Sequence, residues 1–409
     1  MNQELSATVA RLLPEAEAFL CTLIRFESVP GSEQDAMEFC AREFSLPGVA
    51  VERIPLSNAI KNDPDYSTPV PGIEYDGRCN LRVVRRGSGG GRKLILNAHA
   101  DVVPASEGMG HAFSPRVENG IVYGRGACDD KGQVAVLWLL FKTLDALNIT
   151  TAGDLIVHIV VEEENGGNGT LAMVRTGETA DGCVVLEASE GKLFTSIRGA
   201  IWFRVEFHGT AGHSGQVAMT KSALLIARDA IAALEKFHAD LLAGSRGLPL
   251  FDPYPNPMPL TFGKLHAGNW PAAAPSLAVL EGVLGFLPNK TKEQVMDGMR
   301  KVLEETCAGG FDLSFLYRHD SSVIPADHAF PRTILSAAEA VGHPLEVDAM
   351  TASCDAWFYN NQLGIPTVVY GAGTLKVAHS KDEQIPMQEI GNAAEVLVRL
   401  AIDFSQPPI

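Results

Sequence analysis

Two alternations of strands and helices, one interrupting the other, constrain the fold more than any other feature of this sequence. Apolar runs at 93–99 (KLILNAH), 154–161 (DLIVHIVV) and 182–189 (GCVVLEAS) alternate with a helical stretch at 133–147 and a shorter one near Thr170. The runs are continuously apolar, which is typical of strands that helices cover on both faces. The pattern predicts an α/β fold of three layers, α/β/α, with the sheet in the middle.

From about Thr195 the alternation changes to strand, helix, strand, strand, helix and strand, which is the ferredoxin-like α+β arrangement. These segments are 195–209, read as one long strand, then 221–242, 260–268, 276–288, 291–306 and 311–319. After Pro325 the first kind of pattern resumes. A chain of 409 residues also exceeds the size at which one core keeps growing. We therefore predict a discontinuous domain at 1–193 and 323–409, with a smaller domain inserted at 194–322.

A proline-rich stretch, FDPYPNPMP at 251–259, lies inside the predicted insert. Long segments without regular structure are uncommon in compact domains and often form lids or binding loops. We predict that this one is an exposed excursion, and that it serves as a lid or an interface element.

Composition excludes several classes of partner. The formal net charge is −16, with 49 acidic and 33 basic residues, and no local basic patch is present, so neither nucleic acid nor an anionic membrane is an expected partner. The N-terminus reads as an amphipathic helix instead of a signal peptide, and no window approaches the roughly 18 uninterrupted apolar residues of a membrane span. Seven scattered cysteines without a CxxC pair fit reduced thiols. We expect a cytoplasmic protein.

Side chains that can bind metals follow several of the apolar strands. LNAHADVVP places His99 and Asp101 two residues apart at a strand end, where the carboxylate can accept the second ring proton of the imidazole. GRGACDDKGQ at 124–133 places Asp129 and Asp130 in a glycine-rich turn before a helix. Such a turn could instead cradle phosphate. Two carboxylates at its lip favour a cation, and the spacing departs from the GxxxxGK[ST] pattern.

Further carboxylates and an imidazole end the remaining strands. Glu163 and Glu164 stand in HIVVEEENGGNG at 158–169, Glu187 in LEAS, and His379 in AHSKDE. Ligands of open α/β sheets bind beyond the carboxyl ends of the strands. Three carboxylates and two imidazoles could hold two divalent ions if one Asp bridges them. Nitrogen and oxygen ligands without thiolate favour Zn²⁺, with Co²⁺ and Mn²⁺ as alternatives.

In combination, these motifs resemble those of the metallopeptidase and deacylase family that includes acetylornithine deacetylase, succinyl-diaminopimelate desuccinylase, carboxypeptidase G and the aminoacylases. The motifs span nearly the whole chain: HADVVP, GRGACDDKG, EEENGGNG, LEAS, RGA with HGTAGHSG, CDA, GIPTVVYGAG and AHSKDE. The resemblance implies a catalytic domain of the zinc-peptidase type with an inserted dimerisation or lid domain. It also implies two Zn²⁺ per chain, a small-molecule amide as substrate and a homodimer.

The same resemblance implies a ligand for each metal position. Asp129 is similar to the family's bridging ligand. His99 and Glu187 resemble the ligands of one zinc ion, and Glu164 and His379 those of the other.

Four further residues resemble the family's catalytic and substrate-binding groups. Glu163 is similar to the general base, which would take a proton from a metal-bridging water as the water attacks the amide carbonyl, and would later deliver that proton to the departing amine. Asp101 would orient His99. His213, in TAGHSG, resembles a histidine that reaches the active site of the partner subunit and stabilises the oxyanion. Asn269 matches a substrate-contacting asparagine.

The chain departs from the family at Gly285, where many members carry an Arg that binds the carboxylate of the substrate. Glu187 also differs from the Asp that family aminopeptidases tend to have, and Glu162 is interpreted as a supporting residue. We therefore expect a di-zinc amidohydrolase that cleaves an N-acyl amino acid or a related small amide. A carboxypeptidase or dipeptidase acting on small peptides, and a non-catalytic metal-binding scaffold of the same fold, are the alternatives.

Overall fold

The computed structural model describes residues 2–407, and these contain eight α-helices and eighteen strands. The helices are α1 (Asn2–Ile24), α2 (Gln34–Glu43), α3 (Lys131–Ala146), α4 (Asn168–Val174), α5 (Ala223–Ala243), α6 (Lys292–Cys307), α7 (Ala329–Ala340) and α8 (Met387–Phe404). The strands are β1 (Val49–Pro55), β2 (Cys79–Arg85), β3 (Leu94–His99), β4 (Arg116–Glu118), β5 (Ile121–Tyr123), β6 (Leu155–Val160), β7 (Gly182–Val185), β8 (Lys192–Ile197), β9 (Gly199–His208), β10 (Gly212–His213), β11 (Leu260–Ala267), β12 (Ala273–Ala274), β13 (Leu277–Phe286), β14 (Phe311–His319), β15 (Ser322–Val323), β16 (Glu346–Met350), β17 (Thr367–Val369) and β18 (Gln384–Pro386).

The larger sheet has nine strands in the order β1-β2-β6-β3-β7-β17-β8-β15, with β16 beside β8. Its central strands β6, β3, β7 and β17 run parallel to one another. Every residue of β3, β6 and β7 is buried. Because successive side chains point to opposite faces, both faces of the sheet must be covered. Helices α1, α3, α7 and α8 pack against one another, α3 also contacts β3, and α4 contacts β6. The predicted three-layer α/β/α fold is confirmed.

A second sheet of four strands has the order β11-β13-β9-β14 and is antiparallel throughout. Its alternating pattern buries Phe203, Val205 and Phe207 of β9 against α5 and α6, together with Leu303 of α6. Helix α6 begins at a capping box formed by Thr291 and Gln294, which satisfies free amides of its first turn. The order of strands and helices is the ferredoxin-like one that the sequence predicts. The domain boundaries at 193 and 323 stay a prediction.

The prediction of one long strand over 195–209 is wrong. Strand β8 ends at Ile197 in the larger sheet, and β9 begins at Gly199 in the smaller one. The chain turns at Arg198, whose Nε donates to the carbonyl of Thr351 at 2.5 Å. Gly199 packs so closely on Phe286 that a Cβ there would lie 2.2 Å from the Phe286 ring. Both strands are apolar, and hydropathy alone therefore does not reveal the change of sheet.

The prediction of an exposed excursion at 251–259 is wrong at both ends of that segment. Phe251 and Met258 are 2% and 0% exposed and pack with Leu287 and Ala349. Between them, the Tyr254 hydroxyl donates to Asp348 Oδ2 at 2.7 Å. The apolar residues at the ends of the segment therefore anchor it against β16 of the larger sheet.

No helix within residues 2–407 has the length and apolar character needed to cross a membrane. All seven cysteines are buried, and none forms a disulfide.

Candidate metal centre

The parallel strands of the larger sheet end at one edge, and polar side chains follow each of them. His99 is the last residue of β3, Glu163 and Glu164 lie in the turn after β6, Glu187 follows β7, and His379 lies in the loop after β17. Strands that run parallel present their carboxyl ends at a common edge, where ligands bind in sheets of this kind. The structure accordingly brings together five of the predicted site residues: His99, Asp129, Glu164, Glu187 and His379.

These five side chains form two groups that share Asp129. The ligand atoms of His99, Asp129 and Glu187 lie within 4.8 Å of one another, and so do those of Asp129, Glu164 and His379. His99 Nε2 is 3.2 Å from Asp129 Oδ1, whereas His379 Nε2 is 3.1 Å from Asp129 Oδ2 and 3.0 Å from Glu164 Oε1. The two oxygens of Asp129 therefore face different imidazoles, as a carboxylate that bridges two ions must.

Asp101 contacts both His99 and the turn that follows β6. His99 Nδ1 lies 3.0 Å from the backbone carbonyl of Asp101 and 3.4 Å from its carboxylate. The same carboxylate accepts the backbone N–H groups of Glu163 and Glu164, both at 3.2 Å. Asp101 thus fixes the orientation of the imidazole mainly through its carbonyl, and it also holds the turn that presents two further site carboxylates.

The turn that carries Asp129 is held by a buried ion pair that the sequence analysis missed. Glu383 Oε1 accepts the backbone N–H groups of Cys128 and Asp129 at 3.2 Å each, and Glu383 Oε2 accepts from Arg125 Nη1 at 2.5 Å. Arg125 lies in the motif GRGACDDKG and Glu383 in AHSKDE, so each residue belongs to a segment that the sequence marks as functional. A salt bridge across 258 positions gives no local signal.

The charges of the centre are compensated by imidazoles instead of by Lys or Arg. Burial alone would lower the pKa of His379, but its hydrogen bonds to Asp129 and Glu164 outweigh burial and raise that pKa to about 11. Burial likewise opposes the proton on His99, and the carboxylates of Asp130, Asp101 and Asp129 raise its pKa well above the usual range. Burial, followed by repulsion from Asp130 and Asp129, raises the pKa of Glu187 well above its usual range.

This donor set fits two divalent cations. In the described part of the chain, Asp129, Glu164 and Glu187 form no ion pair with a Lys or Arg, and Asp129 and Glu164 pair only with imidazoles. Buried carboxylates that repel one another become stable when a cation binds among them. Nitrogen and oxygen donors without a thiolate are the set that Zn²⁺, Co²⁺ and Mn²⁺ accept.

Glu163 stands beside this centre and belongs to neither group of ligand atoms. Its side chain is half-buried, and within residues 2–407 its carboxylate accepts no hydrogen bond. Burial, then repulsion from Asp355 and Glu187, raises its pKa well above the usual range. A carboxylate of this kind can accept a proton from a bound molecule.

A cavity of about 230 Å³ opens onto the centre. Asp129, Glu164, Glu187 and His379 line one side of it, and Met350, Ala352, Ser353, Leu375 and Ala378 line the rest. A small molecule in this cavity would contact four of the five candidate ligands and a mainly apolar wall.

The structure does not bring His213 and Asn269 to the centre. His213 is exposed on β10, where its Nδ1 accepts the N–H of Gly215 at 3.1 Å, and Asn269 is exposed in the loop after β11. Strand β10 pairs with β12. His213 and the segment that follows Asn269 therefore form one small two-stranded ribbon, in the part of the chain that also forms the four-stranded sheet.

Gly285 leaves room for a different arginine. A Cβ at this position would lie 2.7 Å from Arg198 Nη1 and 3.0 Å from the Cα of Met258. Arg198 Nη1 also donates to the carbonyl of Gly199 at 3.1 Å. The space beside β13 is therefore filled by a guanidinium from the β8–β9 turn.

Comparisons with known proteins agree with this architecture. The sequence profile of Peptidase family M20/M25/M40 matches residues 95–403. The chain is 27% identical over 348 residues to N-formyl-4-amino-5-aminomethyl-2-methylpyrimidine deformylase of Halalkalibacterium halodurans, covering 76% of this chain and 79% of that protein. It is 26% identical over 337 residues to acetylornithine deacetylase of Myxococcus xanthus, covering 80% and 84%. The solved structure of the dipeptidase Dug1p of Saccharomyces cerevisiae has the same fold, with a TM-score of 0.81 at 13% identity, covering 100% of this chain and 99% of that one.

Proposed function

The chain belongs to peptidase family M20/M25/M40 and is therefore a hydrolase, and we propose that it cleaves the amide bond of an N-acyl amino acid or a related small amide. The observation that carries this proposal is the pair of ligand groups sharing Asp129, with the unpaired carboxylate of Glu163 beside them. The names of two relatives, a deformylase and a deacetylase, describe removal of a small acyl group.

We propose two Zn²⁺ per chain, with Co²⁺ and Mn²⁺ as alternatives. Asp129 would bridge the two ions, His99 and Glu187 would complete one site, and Glu164 and His379 the other. Bound divalent ions would supply Lewis acidity, which lowers the pKa of water and polarises a carbonyl oxygen. The convergence of these atoms within 4.8 Å supports this assignment.

Glu163 is the proposed general base. Its raised pKa and its lack of a hydrogen-bond partner among the described residues suit a group that takes a proton from the attacking water and returns it to the departing amine. Asp101 holds the backbone of Glu163 and the ring of His99 at once. It therefore fixes the proton acceptor relative to one metal ligand.

We propose that His213 and Asn269 act on substrate in the partner subunit of a homodimer, His213 by stabilising the oxyanion and Asn269 by contacting the substrate. Their exposed positions on the proposed inserted domain, 194–322, support this role, as does the separate hydrophobic core of that unit. Strand β11 lies at the edge of its sheet, and Leu265 on it is 41% exposed. Unpaired edges of this kind join sheets of neighbouring subunits. The unpaired thiols support a cytoplasmic location.

The main alternative is a carboxypeptidase or dipeptidase acting on small peptides. Gly285 bears on it, because Arg198 fills the space where the resemblance would place a carboxylate-binding arginine. We favour deacylation because Glu187 stands where family aminopeptidases tend to have Asp, and because two relatives are named for the removal of an acyl group.

A metal titration and a substrate panel test the proposal. Purified protein should hold close to two zinc equivalents and lose activity on chelation. Free amine should appear from N-formyl, N-acetyl and N-succinyl amino acids faster than from dipeptides. Glu163→Gln should retain both ions and lose about 10²- to 10⁴-fold in kcat, the usual contribution of a general base, whereas Asp129→Asn should lose metal. Protein that binds no metal, or a Glu163→Gln variant with undiminished activity, would refute the mechanism.

A further inference from the structure

A cluster of buried charges includes Glu162, the residue that directly precedes Glu163 and Glu164. Its centre is Arg78, which directly precedes β2. Arg78 Nη2 donates to Glu162 Oε1 at 2.7 Å and to Glu33 Oε1 at 2.5 Å, and Arg78 Nε donates to Glu33 Oε2 at 3.1 Å. Glu162 and Glu33 are 0% and 1% exposed. A single guanidinium thus neutralises part of the charge of two carboxylates that water does not reach.

The other oxygen of Glu162 is also occupied. The Tyr75 hydroxyl donates to Glu162 Oε2 at 2.7 Å, and Asn168 Nδ2 donates to the Tyr75 oxygen at 3.0 Å. Both carboxylate oxygens of Glu162 are therefore held by Arg78 and Tyr75, neither of which is a candidate metal ligand. A buried carboxylate with fully occupied oxygens keeps one position, because any shift would leave a charged group without a partner.

The backbone at Glu162 sets the direction of the two residues that follow. Its φ is +67°, in the left-handed region that non-glycine residues rarely occupy. Its carbonyl accepts the N–H groups of Gly167 at 2.8 Å and Asn165 at 3.3 Å, which closes the turn. The chain leaves β6 through this residue, so its conformation determines where Glu163 and Glu164 point.

We propose that Arg78 is a positioning residue for the reaction: by fixing Glu162 it holds the turn so that Glu163 and Glu164 both face the metal centre. The proposal rests on the proposed roles of those two glutamates. Asp101 holds the backbone of Glu163 and Glu164, and Arg78 holds the side chain of Glu162, the residue before them. Arg78 and Glu33 lie outside the segment 95–403 that matches the family profile, so that match does not account for them.

Substitutions on both sides of the Arg78–Glu162 contact test the proposal in the metal-loaded enzyme. Glu162→Gln keeps the shape and the Tyr75 contact, removes one charge and leaves the Arg78–Glu33 pair in place. Arg78→Met removes the positive charge. Arg78→Lys keeps the charge but lacks the planar guanidinium that contacts Glu33 and Glu162 at once. We expect kcat to fall about 10²-fold in Glu162→Gln and Arg78→Met, because a displacement of roughly 1 Å at a reacting group costs that much. KM should change by less than about threefold, and Arg78→Lys should recover part of the loss.

Arg82 provides the matched control. It lies on β2, is also partly buried, and pairs with Glu52 and Glu178 without contacting the turn. Arg82→Met should therefore leave kcat within about twofold of wild type, because its pairs with Glu52 and Glu178 lie outside the turn and their loss displaces no reacting group. If Arg78→Met and Glu162→Gln change kcat no more than Arg82→Met does, the proposal is wrong.

Hydrogen exchange separates this proposal from the proposed function. The amides of Asn165 and Gly167, which donate to the Glu162 carbonyl, should exchange faster in Glu162→Gln and Arg78→Met than in wild type and in Arg82→Met. Unchanged exchange in both variants would overturn the anchoring of the turn, whatever the activity. Faster exchange combined with an active Glu163→Gln enzyme would leave the anchoring intact and reject the assigned base.

Discussion

Loading of the metal-free protein with two divalent ions at pH 8 is expected to release protons from the imidazoles of the centre, including about one from His379. His379 has a pKa of about 11 without metal, because its hydrogen bonds to Asp129 and Glu164 outweigh burial, and the neighbouring carboxylates raise the pKa of His99 well above 6.5. The His379 ring is therefore protonated at pH 8, and the neighbouring carboxylates favour the protonated form of His99. Each must be neutral to bind a metal ion.

The size of the effect follows from this count. Each proton displaced makes the overall binding constant rise about tenfold per pH unit below the pKa of the group, so His379 alone gives about tenfold per unit, and each proton that His99 releases adds a further factor of about ten. The sign is fixed, because protons compete with the ions and raising the pH removes the competitor. Ionisation of Glu187, whose pKa is also raised, would add to the number released.

Calorimetric titration of the metal-free protein with Zn²⁺ in Hepes and in Tris at the same pH measures this number, since the observed enthalpy varies with the ionisation enthalpy of the buffer. His379→Gln should lower the proton count by at least about one. His328→Gln, at an exposed imidazole that caps α7, should leave it unchanged. Equal enthalpies in the two buffers would mean that no proton is displaced, and the charge balance described for the centre would be wrong.

Three further outcomes test the packing and the electrostatics. Leu303→Ala, in the fully buried core beneath the four-stranded sheet, should lower the free energy of unfolding by about 2–5 kcal/mol in urea denaturation; a loss below 1 kcal/mol would contradict the close packing. Burial lowers the pKa of His158 to about 4. The stability that the neutral ring contributes above pH 6.5 should therefore be lost as the pH falls towards 4, by about 3 kcal/mol. His158→Gln should make the free energy of unfolding depend less on pH in this range. Gly285→Ala should lower the free energy of unfolding by about 1–3 kcal/mol, because its Cβ would meet the Arg198 guanidinium at 2.7 Å and the Met258 backbone at 3.0 Å. A thermal unfolding temperature equal to that of the wild type would show that the site has room for a Cβ.

The fold was largely predictable because its signals are local. The continuous apolar runs that form β3, β6 and β7 predict buried strands from their own composition, and all residues of these strands are buried. The residues of the metal centre were also visible, since each ends or follows a strand and parallel strands end together. Their roles stay a prediction, although the structure brings five of them together.

What the sequence did not reveal depends on contacts between distant segments. Arg78 and Glu162 are 84 positions apart, and nothing in either neighbourhood marks them as partners. The break at Arg198 was hidden because the strands on both sides of it are apolar, and the contacts that separate them, Gly199 on Phe286 and Arg198 with Thr351, join distant segments. His213 and Asn269 are not among the residues that line the cavity at the metal centre, and their role on a partner subunit stays a prediction.

The turn at Arg198 has a consequence for how the two halves of the molecule are joined. The chain enters the four-stranded sheet at Gly199 and returns from it at His319, and the strands on either side of this excursion are hydrogen-bonded neighbours, with Ile197 opposite Ser322. The Gly199 N–H also donates to Ser321 Oγ at 2.9 Å. The two chain connections between the sheets thus lie side by side. Because both covalent connections lie together, the four-stranded unit can change in length without a change in the register of the nine-stranded sheet, whereas its exchange would also have to replace the contacts of Phe251 and Tyr254 with β16.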